Sequence, residues 1–192
     1  MPLLPALAFA RQLIEGRLKN GGRALDGTAG NGRDTLFLAQ LVGGNGKVWA
    51  FDIQAQALSN TAGLLRENGV EERVELIAAS HADLADYVRE PLDAAMFNFG
   101  YLPGGDKTVT TKADSSVRAM QAAAALLAEG GLLTAVVYSG HPAGRAEAAA
   151  IEQWAAALPQ EQYQVLHYRF TNQRNNPPQL LAIEKRIRKP NR

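Results

Sequence analysis

The spacing of apolar residues along this chain alternates between the pattern of strands and the pattern of helices. Seven short apolar runs have the spacing of strands, and amphipathic stretches with helical spacing lie between the early ones. The predicted strands cover residues 24–26, 47–53, 73–79, 93–99, 132–138, 163–170 and 180–185. The predicted helices cover residues 3–19, 35–41, 54–68, 115–128 and 145–158.

This alternation predicts a parallel sheet whose strands are joined by right-handed helical crossovers. The last two strands have no helix between them, so we expect them to pair as an antiparallel hairpin. The expected fold is α/β: a seven-stranded, mostly parallel sheet with one antiparallel strand and helices on both faces. Without an internal repeat or a linker, residues 1–192 are expected to form a single domain that ends in a basic tail at about 185–192.

The sharpest local signal lies between the first strand and the helix after it. The strand ends in Asp26, Gly30 and Gly32 form a small-residue loop, and Asp34 opens the helix. Glycines permit positive φ and a close approach of the backbone to a ligand, and a helix N-terminus directs free N–H groups toward such a loop. Dinucleotide-binding loops have a third glycine where this chain has Thr35, and P-loops have a lysine that this stretch lacks.

A carboxylate beside the loop suits a cation, such as an α-ammonium or a sulfonium, better than a phosphate. The pattern Asp-x-x-x-Gly-x-Gly resembles motif I of the class I S-adenosylmethionine (SAM) methyltransferases, a Rossmann-like fold with the same sheet layout. The resemblance implies SAM as the cofactor and S-adenosylhomocysteine (SAH) as its product. A glycine turn that only joins a strand to a helix is the simpler alternative.

Polar residues also end the next strands, at the edge where open α/β sheets bind their ligands. Asp52 is placed to accept hydrogen bonds from ribose hydroxyls, or else to cap the helix that follows. Ser80 and His81 end the third strand, where the adenine lies in nucleoside-binding sheets, and a surface or capping residue is the alternative for His81. The expected cofactor-binding residues are Asp26, Thr28, Gly30, Asn31, Gly32, Asp34, Thr35, Asp52, Ile53, Gln54, Ser80, His81, Asn98 and Gly100.

The fourth strand runs into Asn98-Phe99-Gly100-Tyr101, where amino-group methyltransferases carry Asn/Asp-Pro-Pro-Tyr. Both prolines are replaced, so stacking on a planar base is not implied. The wider string 97–107, together with 138–141, 177–178 and 183–185, resembles the small bacterial methyltransferase family long labelled "putative rRNA methylase". The resemblance extends from about residue 25 to about residue 185.

Characterised members of that family methylate the 5-aminomethyl group of the wobble 2-thiouridine in tRNA. The resemblance therefore implies an RNA substrate, the anticodon arm of a tRNA, and an in-line attack of an amine on the SAM methyl group. The amine must be neutral, which requires a proton acceptor or a desolvated pocket. The expected catalytic residues are Asn98, Tyr101, Asp106 and His141, with Lys107 beside them. A core or lid aromatic is the alternative for Tyr101, and a plain polar turn for Asp106.

Composition sets further bounds. The chain has no cysteine, which excludes disulfides, thiolate zinc sites and cysteine nucleophiles within it, and no metal site is expected. No apolar run is long enough to span a bilayer, and a cytoplasmic protein is expected. The net charge is only +1, which is compatible with a homodimer that has a composite RNA surface. A solvated C-terminal end is the alternative to RNA contact by the basic side chains, which are Arg169, Arg174, Lys185, Arg186, Arg188, Lys189 and Arg192.

Three other functions remain open from the sequence. A SAM enzyme with this acceptor loop is also compatible with rRNA or a small-molecule amine as the substrate. A nucleoside-binding protein without catalysis would need the same loop and the same acids. An NAD-linked oxidoreductase is disfavoured by the missing third glycine and by the lack of room for a substrate domain.

Overall fold

The computed structural model describes residues 2–100, 111–140 and 142–187. Its strands are β1 (Arg23–Asp26), β2 (Lys47–Phe51), β3 (Val74–Ile77), β4 (Leu92–Phe99), β5 (Leu127–Val137), β6 (Tyr163–Tyr168) and β7 (Gln179–Lys185). They form one sheet in the order β3-β2-β1-β4-β5-β7-β6. Strands β1 to β5 pair in parallel, whereas β7 is antiparallel to both β5 and β6. The predicted seven-stranded sheet with one reversed strand is therefore confirmed.

Helices cover both faces of this sheet. They are α1 (Ala6–Glu15), α2 (Arg33–Val42), α3 (Ala55–Glu67), α4 (Leu84–Tyr87), α5 (Ala113–Leu126) and α6 (Pro142–Ala156). Along β4, Phe97 and Phe99 pack into the core layer beneath α5 and α6, while Met96 packs into the layer beneath α1 and α2. This alternation follows the two-residue period of a strand, and burial on both faces explains the almost continuous apolar sequence of β4.

The largest differences from the predicted boundaries lie at the first helix and at the fifth strand. The first helix is shorter than the expected 3–19, because Pro5 occupies its N-cap position and its C-cap is Gly16. The fifth strand begins five residues before the expected Leu132. Its pairing with β4 starts at Leu127, is interrupted by an irregularity, and resumes at Leu132. Gly130, with φ +77°, lies inside this irregular stretch, so the glycine pair marks a bulge rather than the gap between a helix and a strand.

The direction of each strand decides which residues reach the ligand-binding edge. The carboxyl ends of β1 to β6 share one edge, so the segment 169–178, which joins β6 to β7, starts there. Strand β7 runs away from that edge and carries Lys185 and Arg186 to the opposite one. Lys185 Nζ donates to the carbonyl oxygens of Ala125 and Leu127, at 3.0 and 2.7 Å, so it closes the end of α5. Among the described helices, none has both the length and the apolar character that crossing a membrane requires.

Candidate functional site

The glycine loop between β1 and α2 is fastened to the strands on either side of β1. The Gly27 N–H donates to the Met96 carbonyl oxygen of β4, and the Ala29 N–H donates to the Phe51 carbonyl oxygen of β2, both at 2.9 Å. Gly30 has φ +52° and Gly32 has φ +79°, the left-handed region that favours glycine. The loop is thus held in one conformation by its own backbone.

Gly32 meets a constraint that the sequence did not reveal. A Cβ at this position would stand 2.9 Å from the Cα of Thr61 on α3. The Thr61 hydroxyl also donates to the Gly30 carbonyl oxygen at 3.1 Å. The glycine is therefore required by its positive φ and by the close packing of α3 against the loop, and Gly32 is not among the described residues of the cavity lining.

Asp26 lies beneath the loop and is fully buried. It is not among the described residues that line a cavity next to the loop, at the carboxyl edge of the sheet. Its carboxylate accepts a hydrogen bond from the Thr28 N–H at 3.0 Å and another from the Thr35 hydroxyl at 2.6 Å. The pKa of Asp26 is raised from 3.8 to about 7, mainly by burial and also by the nearby charge of Asp34, while the hydrogen bonds from Thr35 and Thr28 oppose the rise. The expected direct contact of this carboxylate with a ligand cation is therefore corrected: Asp26 and Thr35 hold the loop from inside.

Asp52 ends β2 and faces the loop. Its Oδ2 accepts from the Gly30 N–H and its Oδ1 from the Gln54 N–H, both at 2.9 Å. Gln54, and not Asp52, occupies the N-cap position of α3, so the capping alternative does not describe this residue. Each carboxylate oxygen still has lone pairs for a further donor, such as a hydroxyl.

Ser80 and His81 follow β3 and form the next part of the same wall. The Ser80 hydroxyl accepts from the Ala82 N–H at 3.2 Å and so caps a short 3₁₀ turn. The His81 ring stands edge-on to Phe97 and Phe99, with ring centroids 6.4 and 5.7 Å away. Burial lowers the pKa of His81, although a hydrogen bond to the backbone of Gly27 opposes the shift, so the imidazole is neutral at pH 7.

Asn98 and Gly100 form the other end of the site. The Asn98 N–H donates to the Thr28 hydroxyl at 2.8 Å, which ties the end of β4 to the glycine loop. The Thr111 N–H donates to the Gly100 carbonyl oxygen at 3.2 Å. Three buried polar atoms have no hydrogen-bond partner within the described ranges here: His81 Nε2, Asn98 Oδ1 and Thr111 Oγ1. Buried polar atoms without partners are costly, and a cavity that contains several is suited to a polar ligand.

These groups line one cavity of about 750 Å³, a size typical of small-molecule and cofactor sites. The predicted residues that line it are Thr28, Gly30, Asn31, Asp34, Asp52, Ile53, Gln54, Ser80, His81, Asn98 and Gly100. Asp26, Gly32 and Thr35 support it from behind. Tyr101, Asp106, Lys107 and His141 lie outside the described residues, and so do Arg188, Lys189 and Arg192.

Sequence reasoning missed several residues of the lining. Leu7 and Arg11 reach it from α1, and Thr111, Lys112 and Ser115 reach it from the start of α5 and the residues before that helix. The position of α1 depends on long-range packing, so no local pattern indicates it. The polar residues around 111–115 immediately follow the acceptor string and were the available signal for the second group.

Comparison with known proteins identifies the family. The sequence matches the family described as "Putative rRNA methylase" over residues 48–184. The chloroplastic tRNA (mnm(5)s(2)U34)-methyltransferase of Arabidopsis thaliana is 35% identical over 191 residues, an alignment that covers 94% of this chain and 69% of that protein.

Two solved structures resemble the whole chain. A "putative rRNA-methylase" from Clostridium thermocellum superimposes with a TM-score of 0.95 at 38% identity and covers 96% of this chain and 100% of that one. A "putative methyltransferase" from Streptococcus mutans, solved in complex with SAH, gives a TM-score of 0.88 at 34% identity and covers 96% and 99%. The cavity at the carboxyl edge, its glycine loop and these matches agree, and the chain belongs to the rRNA methylase family of methyltransferases.

Proposed function

We propose that this methyltransferase transfers the methyl group of SAM to the 5-aminomethyl group of the wobble 2-thiouridine in tRNA. The observation that carries the proposal is Asn98 Oδ1, a buried amide oxygen in the cavity wall without a partner among the described residues. An amide oxygen accepts a hydrogen bond from an N–H group, so it suits an amine. The name of the 35% identical Arabidopsis relative supports this choice of amine.

The cavity fits SAM through its own donors and acceptors. Asp52 offers two carboxylate oxygens to ribose hydroxyls. The backbone hydrogen bond of His81 leaves Nε2 unpartnered among the described residues, and in a neutral ring that atom accepts from the exocyclic amino group of adenine. Ile53 is 64% exposed and supplies an apolar surface next to these groups.

When bound, SAM supplies a methyl group that its sulfonium has already activated. The chain has to hold the amine in line with that methyl carbon, and this alignment is the larger part of the catalysis. Asn98 Oδ1 accepts one N–H of the neutral amine and so directs the nitrogen lone pair away from itself. The N–C bond forms as the C–S bond breaks, SAH leaves, and the proton of the new ammonium passes to solvent or to a base near the acceptor.

The tRNA is proposed to approach along the segment that joins β6 to β7. Arg169 and Arg174 are exposed there, at the edge that contains the cavity. The Asn175 carbonyl oxygen lies 4.0 Å from where a Cβ on Gly140 would stand, so this segment passes close to the loop after β5. Lys185 and Arg186 belong to the opposite edge and are not part of this proposed surface.

Nucleoside mass spectrometry tests the reaction. The protein is incubated with methyl-labelled SAM and tRNA that carries unmethylated 5-aminomethyl-2-thiouridine, and the digested nucleosides are separated. A labelled methyl group on that nucleoside is the expected result. Transfer only to rRNA or to a small amine would replace the proposed substrate, and SAM binding without transfer to any of them would remove the proposal.

Salt dependence tests the RNA surface. Replacing Arg169 and Arg174 with Gln is expected to reduce the slope of log Kd against log salt by about two, one for each lost phosphate contact. Arg66→Gln, an exposed arginine on α3, is the matched control and should leave the slope unchanged. An unchanged slope in the double variant would place the RNA elsewhere.

A further inference from the structure

An ion pair joins two elements at the wall of the cavity. Arg11 of α1 donates from Nε and Nη2 to Oδ1 of Asp34, in the first turn of α2, at 2.9 and 2.6 Å. The two side chains are 34% and 10% exposed. Both residues line the cavity.

The charges of the other described lining residues set this pair apart. Arg33 and Lys112 also line the cavity, but both are exposed. Both carboxylate oxygens of Asp52 already accept from backbone N–H groups. Arg11 is therefore the part-buried cation of the described lining, and a charge in such a position is screened far less than a charge on the surface.

The guanidinium of Arg11 has N–H donors that Asp34 does not use. It carries five N–H groups, and Asp34 accepts from only two nitrogens, both through one oxygen. A planar guanidinium that is already fixed by one carboxylate loses little freedom when it binds a second. Its position beside the N-terminus of α2 adds a further preference for an anion.

We propose that Arg11 binds the α-carboxylate of the amino-acid end of SAM and that Asp34 is a positioning residue that orients the guanidinium. This inference rests on the proposed function only in taking SAM as the ligand. The proposed function places the ribose of SAM at Asp52, in the middle of the cavity, and the acceptor amine at Asn98, at the β4 end. The wall formed by α1 and the start of α2 is then the part that meets the charged tail.

A purely structural role is the competing explanation, because the pair also ties α1 to α2. The two explanations differ in which ligands they affect. Loss of a structural tie weakens every ligand of the cavity by a similar factor. Loss of a carboxylate contact weakens only the ligands that have the carboxylate.

Calorimetric titration with three ligands separates these cases. SAH has the carboxylate, its decarboxylated analogue S-adenosyl-3-thiopropylamine lacks only that group, and 5′-methylthioadenosine lacks the whole amino-acid tail. Arg11→Ala is expected to weaken SAH binding at least tenfold, in the range of a lost hydrogen bond between charged groups, and to change the other two Kd values less than about twofold. Asp34→Asn, which keeps an acceptor for Arg11, is expected to show the same selectivity with a smaller loss.

Arg17→Ala is the matched control. Arg17 follows α1 and pairs with Glu184 at 2.8 Å, and it is not among the described residues of the cavity lining. Equal losses for all three ligands in Arg11→Ala, or no loss for SAH, would overturn the assignment. These readouts are binding constants, so a failure to methylate tRNA would count against the proposed substrate and leave the role of Arg11 intact.

Discussion

The two ends of the cavity differ in how far their polar groups are already hydrogen-bonded. At the end that we propose for the nucleoside of SAM, formed by the glycine loop, Asp52 and His81, both oxygens of Asp52 accept from backbone N–H groups, and the glycine loop is bonded to β2 and β4. At the acceptor end, Asn98 Oδ1 and Thr111 Oγ1 are buried without partners among the described residues. His81 Nε2 is the exception at the nucleoside end.

This difference suits the two ends of the cavity to different tasks, cofactor binding at one end and positioning of the substrate at the other. The nucleoside end is shaped by backbone geometry before any ligand arrives, so its contribution is mainly to binding. The acceptor end keeps unsatisfied groups whose cost is recovered only when a polar substrate is present. Variants at the two ends should therefore affect different kinetic constants.

Asn98→Ala gives the largest expected effect and tests this division directly. Single-turnover methyl transfer is expected to fall by about 100-fold or more, the usual cost of losing a positioned polar contact in a transition state. The Kd for SAH should change less than about threefold. The two values come from rapid quench with labelled SAM and from calorimetry.

Asn68→Ala is the control for that variant. Asn68 is an exposed residue at the end of α3, and its side chain donates to the Leu64 carbonyl oxygen. It should behave as the unmodified protein in both measurements. Equal losses of binding and turnover in Asn98→Ala would show that the two ends of the cavity are not separable.

Asp52→Ala should give the opposite pattern. Removing a carboxylate that binds hydroxyls costs about 1.5–3 kcal/mol, so the Kd for SAH is expected to rise about 10- to 100-fold. Turnover at saturating SAM should change much less. Asp86→Ala removes an exposed carboxylate on α4 and serves as the control. A fall in turnover without a change in Kd would contradict the assignment of Asp52.

Gly32→Ala tests whether the nucleoside end is held by packing. The substitution combines a positive φ with a contact of 2.9 Å to the Thr61 backbone, so the free energy of unfolding should fall by about 1–3 kcal/mol. Gly63→Ala on α3 is the control, because nothing lies within 4 Å of its new Cβ. That helix variant should gain about 0.5–1 kcal/mol. Urea unfolding measures both, and equal stabilities would refute the packing argument.

Asp26 gives the last expected effect, and its size depends on pH. The pKa of Asp26 is raised from 3.8 to about 7 in the folded protein, so the folded state binds this proton more tightly than the unfolded state does. Its contribution to stability is complete below pH 3.8 and is lost as the pH rises through 7. Asp26→Asn does not titrate, so its melting temperature relative to that of the unmodified protein should rise between pH 5 and pH 8.

The expected change is about 5–10 °C, because the two pH units between pH 5 and a folded pKa of about 7 correspond to about 2.7 kcal/mol, and about 1 kcal/mol shifts the melting temperature of a chain of this size by about 2–4 °C. Asp86→Asn, at an exposed position, provides the control for the removed charge. A constant difference in melting temperature across this range would mean that the buried carboxyl keeps an ordinary pKa.

The sequence supports the architecture well because periodicity is a local property. Asp52 and Asn98 were identifiable as residues at the ends of apolar runs, and the structure places both in the cavity wall. The burial of Asp26 was not visible in this way. Whether the carboxylate faces the ligand or the underside of the loop depends on its hydrogen bonds with Thr28 and Thr35, which form only in the folded loop and do not show in the spacing.

Contacts between distant segments account for the other omissions. Arg11 and Asp34 are 23 positions apart, and only the docking of α1 brings them together. The early start of β5 has a similar origin, because the pairing of Leu127 with Leu92 of β4 extends the strand through two glycines that locally favour a turn. The roles expected of Tyr101, Asp106 and His141 stay predictions.

The reversal of β7 places the proposed RNA surface on a connection that can vary without changing the rest of the sheet. Because β7 lies between β5 and β6, the connection 169–178 can change in length while the pairing of all three strands stays in register. Because the proposed RNA surface lies on this connection, its exchange between relatives should alter the choice of RNA without disturbing the cofactor site. The β6–β7 hairpin is therefore a position at which the fold can accept a different loop.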